Sequence, residues 1–120
     1  MIALILLSLA GAFKAIADTL VFHWSSSVFK NLPEQQWNAL KSWRNKYKNG
    51  DPDQGPAFPG STTIFVALTD WWHRFDLLRI ICGVLAVAFA PAWAWWLTAL
   101  LGLAVFLAAF NAVYYLLYKK

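Results

Sequence analysis

From Ala92 to Tyr118 the chain carries no charged side chain, and it meets one only at Lys119. A helix needs about 20 mostly apolar residues to cross a hydrocarbon core of roughly 30 Å, so this segment is long enough to span a bilayer. Two further segments come close to that standard. Met1 to about Phe22 is apolar apart from Lys14 and Asp18, and Thr63 to Ala90 is apolar through its second half. Composition points the same way. Of 120 residues, 60% are hydrophobic and 13% charged, about half the roughly 25% charged share of a soluble domain. So small a chain has too little interior to hide that much apolar surface from water, and it is too greasy to be disordered. A single Cys excludes a disulfide framework and a Cys-based zinc site.

The first segment differs from a secretion signal. Nothing basic precedes Lys14, and Asp18 and Phe22 stand where a small-residue cleavage motif belongs. It is therefore expected to be a retained helix. The second segment is composite. Leu77 to Ala90 is nearly all apolar, whereas Thr63 to Asp76 holds Asp70, His73, Arg74 and Asp76 among Trp71, Trp72 and Phe75. One long tilted helix, or an interfacial helix bent into a shorter span, would accommodate this. The absence of Pro and Gly between Ile64 and Cys82 favours the continuous helix. Pro91 then marks a tight turn into the third helix, because the residue before proline resists helical geometry.

Orientation follows from the placement of Lys and Arg. Lys30, Lys41, Arg44, Lys46 and Lys48 lie between the first two spans, and Lys119 and Lys120 end the chain, while the Pro91 hairpin has none. Three spans put the loop and the C-terminus on one side. Both are expected to be cytoplasmic, with the N-terminus and the hairpin outside, in a bacterial inner membrane. Trp24, Trp71, Trp72, Tyr114, Tyr115 and Tyr118 would gather at one interface and Trp93, Trp95 and Trp96 at the other.

The loop from about Trp24 to Ser61 is long for the chain, and long connections in small proteins are usually functional or disordered. Pro33 to Tyr47 reads as a short helix with proline in its first turn, closed by Asn49-Gly50-Asp51-Pro52 with Gly50 in the left-handed conformation. Asp51 to Gly60 is broken by proline and glycine. Ser61 or Thr62 is placed to cap the second membrane helix.

Ionisable residues at membrane helices are costly and tend to mark sites. Asp18, His23, Asp70 and His73 are all expected near the cytoplasmic interface, with Asp70 and His73 three apart on one face. Two carboxylates and two imidazoles there can hold a divalent cation or form acid/base pairs. The competing reading is structural: Lys14 with Asp18, Asp70 with Arg74, Asp76 with Arg79. A second constellation is basic. Lys41, Arg44, Lys46 and Lys48 interleave with Trp43 and Tyr47, and a helix opening at Ser61 and Thr62 would offer backbone N–H groups to an anion. Together they suit a phosphate, most simply a lipid headgroup; the plainer reading is the ordinary cytoplasmic excess of cations. Asn111, Tyr114, Tyr115 and Tyr118 share a helical stripe that either meets the Asp/His cluster or serves as interface packing. Ala104, Ala108 and Ala112 form a small-residue row, with Gly83 and Ala86 as its expected receivers. No phosphate-loop, nucleophile-elbow or dinucleotide motif occurs, and the basic stretch is too short for a nucleic-acid module.

Ser42-Trp-Arg-Asn-Lys-Tyr-Lys-Asn-Gly-Asp51, Phe58-Pro-Gly-Ser-Thr-Thr-Ile-Phe-Val66 and Leu68-Thr-Asp-Trp-Trp-His73, with Asp18, Phe22 and His23 before them, form a distinctive pattern. It resembles that of small hydrophobic proteins of unknown function from Bacteroidetes-type bacteria and their phages. The resemblance covers roughly residues 15 to 75. It implies no activity or cofactor, and it marks the loop and its flanking Asp and His residues as the characteristic part of the chain.

The sequence thus predicts an all-α integral membrane protein spanning at about 2–22, 63–90 and 92–118. Its loop, about 24–61, folds back onto the bilayer. The leading functional expectation is a headgroup-level pocket for an anionic lipid or phosphate-bearing ligand. Lys41, Arg44, Lys46, Lys48, Ser61, Thr62 and Asn111 would bind it, and Asp18, His23, Asp70 and His73 could hold a divalent metal. The alternative is a non-catalytic accessory subunit packed against a membrane-protein partner or copies of itself.

Overall fold

The computed structural model describes residues 1–118, so Lys119 and Lys120 of the orientation argument lie outside the described residues. Its helices are α1 (Ile2–Phe22), α2 (Glu34–Trp37), α3 (Ala39–Ser42), α4 (Trp71–Phe89) and α5 (Trp95–Leu117), with four short 3-10 turns between α3 and α4 and one each before α2 and α5. No strand occurs among the described residues. Ile2–Phe22 and Ala92–Leu117 are long and apolar enough to cross a membrane. The third expected span does not meet that standard: α4 has 19 residues and keeps Arg74, Asp76 and Arg79 within them.

The start of α4 also corrects the sequence reading. The helix opens at Trp71, not near Thr63, and its N-cap is Asp70 rather than Ser61 or Thr62. Two local causes act together. Gly60 takes φ +81°, turning the chain before Ser61, and the run Thr62-Thr63-Ile64-Phe65-Val66 is β-branched and aromatic, which weakens helix propagation. Asp70, in contrast, sits extended and accepts from the backbone N–H of His73 at 2.9 Å, a strong capping arrangement. The short loop helix is broken as well. Asn38 is extended, with φ −84° and ψ 106°, and accepts from the backbone N–H of Leu40, so one expected helix becomes α2 and α3 followed by a 3-10 turn at Trp43–Lys46.

Helix α1 lies between the other two long helices and packs along both. Its register with α5 is parallel: Leu7 meets Gly102, Gly11 meets Phe106, and His23 meets Tyr114 and Tyr118. Phe13 packs on Phe75 at 6.1 Å near the start of α4, while Leu7 faces Ala86 and Val87 further on, so α4 runs antiparallel. Most of the contact surface of α1 is small, with Ala3, Ala10, Gly11, Ala15 and Ala17 buried, and Thr19 and Leu20 are buried near its C-terminal end. Small residues let helix backbones approach without water-driven collapse. The approach is closest at Gly11, where an added Cβ would drive into the Phe106 carbonyl, with Phe106 Cα only 3.2 Å away.

The result is a single layer of helices with extents of 51 × 38 × 16 Å. Only Gly102 is buried in α5, and only Cys82 and Ala86 in α4. Leucine, isoleucine, valine and tryptophan therefore cover both outer helices as exposed surface. The Ala104, Ala108 and Ala112 row faces outward rather than toward α4, and Gly83 has no neighbour for a side chain to meet. The rotation of α5 is set instead by Gly102 against Leu7.

Candidate functional site

The C-terminal ends of α1 and α5, the N-terminal end of α4 and the whole loop meet at one end of the layer. There the loop backbone is tied to α5 by Val28 N–H donating to Leu117 O at 3.0 Å. Inside the loop, Lys48 N–H donates to Gly55 O and Ala57 N–H to Lys46 O, each at 2.9 Å, closing a narrow turn. Ser61 is fully buried and its hydroxyl donates to Lys46 O at 2.7 Å. Ser61 thus holds the loop closed. Neither it nor Thr62 stands at a helix N-terminus, so the backbone donors expected there are not presented.

The centre of this cap is Asp70, with none of its surface exposed. Its Oδ2 accepts from the Ser42 hydroxyl at 2.7 Å, and its Oδ1 accepts from His73 N–H at 2.9 Å and lies 2.7 Å from His73 Nδ1. With a carboxylate as acceptor, Nδ1 carries the proton of this bond. Asp70 therefore binds α3 to the first turn of α4 in one fully satisfied network. Asn45 adds a second clasp, its carboxamide donating to Gln35 O at 2.7 Å and Thr69 O at 3.0 Å. Aromatic rings extend the junction: Phe29 stacks on Trp37 at 5.6 Å, Trp37 on Trp71 at 4.8 Å, and Trp71 leans on Phe75 at 5.8 Å.

The other acidic and imidazole residues are distributed differently. Asp18 pairs with Lys14 along α1. His23 packs edge-on against Tyr114 and Tyr118 at 5.5 and 5.4 Å. Among the described residues no three of His, Cys, Asp or Glu gather as a metal site. The four-residue cation site is thereby corrected, because the Asp70–His73 pair is turned inward to Ser42 and Asp18 is held by its own cation. Of the structural pairings, Lys14–Asp18 and Asp76–Arg79 form, the latter at 2.8 Å. Arg74 does not meet Asp70; its guanidinium donates to Ala67 O and Leu68 O and lies 4.6 Å from the centre of the Trp71 ring. The α5 stripe splits too. Tyr114 and Tyr118 reach His23, whereas Tyr115 is 81% exposed and Asn111, also exposed, donates to Leu107 O in its own helix.

The basic group is partly united. Lys41 and Arg44 line an open cleft of about 440 Å³ with Gln35, Leu40, Asn49 and Gly50. Lys41 is paired with Glu34. Arg44 lies 5.2 Å from the Trp43 ring, and no carboxylate pairs with it among the described residues. Lys46 lies 5.4 Å from the Tyr47 ring, and Lys48 is exposed. The cleft thus presents Arg44, with no carboxylate partner among the described residues, beside the Lys41–Glu34 pair and the partly engaged carboxamides of Gln35 and Asn49, and a guanidinium so placed suits phosphate or carboxylate oxygens.

Sequence reasoning missed Ser42 and Asn45, which reach Asp70 and Thr69 across the loop. The signal for the Asp70 end was the residue type alone, an aspartate ahead of an apolar run. Nothing local marks Ser42, whose partner is 28 positions away. No protein-family model matches the chain, nor does any curated protein or any solved structure.

Proposed function

We propose that this chain is an integral membrane protein of three helices that binds an anionic, phosphate-bearing headgroup in the Lys41–Arg44 cleft. The loop and C-terminus face the cytoplasm, and the N-terminus and hairpin face outward across a bacterial inner membrane. The observation that carries the reading is the cleft itself: Lys41 and Arg44 open beside Gln35 and Asn49. It lies in the loop that gathers at the same end as Trp71, Trp72, Tyr114 and Tyr118. Tryptophan and tyrosine concentrate at headgroup depth, so a cation cleft in that layer meets lipid phosphate directly. Helix α4 can serve as the third span because its charges sit in its first turns and are compensated. Arg74 is spent on backbone carbonyls and Asp76 on Arg79, which leaves Ile80 to Phe89 wholly apolar. The resemblance noted from sequence falls on this same loop.

Calorimetric titration of the detergent-solubilised protein with a short-chain phosphatidylglycerol, and separately with inorganic phosphate, tests the proposal. Each cation near an anionic surface contributes about 1 kcal/mol, so K41A/R44A is expected to weaken phosphatidylglycerol binding by about 30-fold. Binding by phosphate alone at similar affinity would identify a free anion as ligand. Unchanged affinity in the double variant would remove the cleft from the site.

A further inference from the structure

Of the five asparagines in the chain, only Asn49 is followed by glycine. That pairing is the one most open to attack on the carboxamide by the next backbone nitrogen, because a residue without Cβ leaves the nitrogen unshielded. Asn49 is exposed, takes the left-handed conformation at φ 53°, and lines the same cleft as Arg44. A Cβ on Gly50 would lie 3.9 Å from Arg44 Cβ, so the Asn49–Gly50 pair and the arginine are neighbours. We propose that Asn49 is a site of spontaneous deamidation, and that its conversion turns the Lys41–Arg44 cleft away from anions. The effect on the cleft rests on the headgroup reading above; the modification itself does not.

The chemistry needs only water. Solvent hydroxide takes the Gly50 N–H proton, the nitrogen bonds to Asn49 Cγ, and the Cγ–Nδ2 bond breaks as ammonia leaves. Water then opens the cyclic imide at either carbonyl. Opening at the side-chain carbonyl leaves aspartate, and opening at the main-chain carbonyl leaves isoaspartate, with the chain running through Cγ. Either product carries a carboxylate where a neutral carboxamide stood. That carboxylate stands beside Arg44, the cleft cation with no acidic partner among the described residues, and occupies it. Aspartate visits the left-handed conformation as asparagine does, so the turn itself is kept. The same turn sets the rate. Gly50 N–H donates to Tyr47 O at 3.0 Å, and Asn49 Nδ2 donates to Gln54 Oε1 at 2.9 Å. Nucleophile and leaving group are both held, and ψ of 23° at Asn49 keeps Cγ from folding onto the nitrogen. The Lys48–Gly55 and Ala57–Lys46 backbone bonds and the Ser61 hydroxyl on Lys46 O close this turn. Attack therefore waits on local opening, which in a loop costs less than global unfolding.

Peptide mapping by mass spectrometry, on the full chain incubated in detergent at mildly alkaline pH, tests the site. Asn49 is expected to gain about 1 Da as its amide becomes an acid, while Asn31, Asn38, Asn45 and Asn111 stay unchanged. Ser61→Ala removes one buried hydrogen bond from the closed turn and is expected to speed the gain about fivefold. Gln54→Ala, at an exposed position, is the second opener should Ser61→Ala fail to fold. No gain at Asn49 in the unaltered protein and the openers, or an equal gain at the other asparagines, would overturn the site. Openers no faster than the unaltered protein would overturn the gating. Asn49→Asp carries the finished product and is expected to weaken phosphatidylglycerol binding about tenfold. Asn49→Gly, neutral and at ease in the left-handed turn, is expected to lose less, and equal losses would overturn the charge effect. Should the unaltered protein bind no phosphatidylglycerol, the headgroup reading falls and the effect on the cleft with it, and the mass gain still decides the modification.

Discussion

Asp70 does the most at the scale of single residues. Its carboxylate ends the irregular run from Gly60, caps α4 and fixes Ser42, and no part of it reaches solvent. Removing a capping side chain costs about 0.5–2 kcal/mol, and leaving the Ser42 hydroxyl unpaired adds about 1 kcal/mol or more. Asp70→Ala is therefore expected to lower stability by about 2–3 kcal/mol, read from denaturant unfolding in detergent. Asp70→Asn keeps a good cap and can reverse the hydrogen bond with Ser42, so its loss should stay below about 1 kcal/mol. Equal losses in the two variants would show that the charge, not the cap, holds this corner. The pairing of Asp70 with His73 was legible from their spacing of three. The inward turn of the pair was not, because it depends on Ser42 arriving from a distant part of the loop.

At the scale of elements, the apolar segments fixed which stretches are long helices, and the hairpin at Pro91 follows from proline geometry. Where α4 begins was illegible from the absence of breakers. Glycine and proline stop helices, but β-branched residues and a stronger downstream cap also decide a boundary, and both act here. Rotation was harder still. The small residues Ala104, Ala108 and Ala112 pointed to one face of α5, but the parallel neighbour α1 turns Gly102 inward instead, because Leu7 needs the space above it. Gly11 supplies the matching test. An added methyl there meets backbone rather than a movable side chain, so Gly11→Ala is expected to cost about 1–3 kcal/mol. Gly102→Ala meets only the end of Leu7 and should cost less. Unfolding of both variants in the same detergent gives the comparison, and the reverse order would contradict the α1–α5 crossing.

At the scale of the whole molecule, the proposed sidedness has a direct test. In a Cys82→Ser background, a membrane-impermeant thiol reagent added to intact spheroplasts is expected to label Trp93→Cys in the hairpin. Lys48→Cys in the loop should be labelled only after lysis. Labelling of Lys48→Cys in intact cells would reverse the topology, and labelling of both would mean that the chain does not divide two compartments. Charge placement, aromatic placement and the common end of α1, α4 and α5 all bear on this one experiment.

The central position of α1 has a kinetic meaning. Since α4 and α5 rest against α1 more than against each other, the pair cannot mature as an independent hairpin that later recruits its neighbour. Helix α1 precedes both in the chain, so it serves as the template on which each must settle. Any trap in assembly would be a hairpin formed but still undocked, its two arms without the neighbour that aligns them.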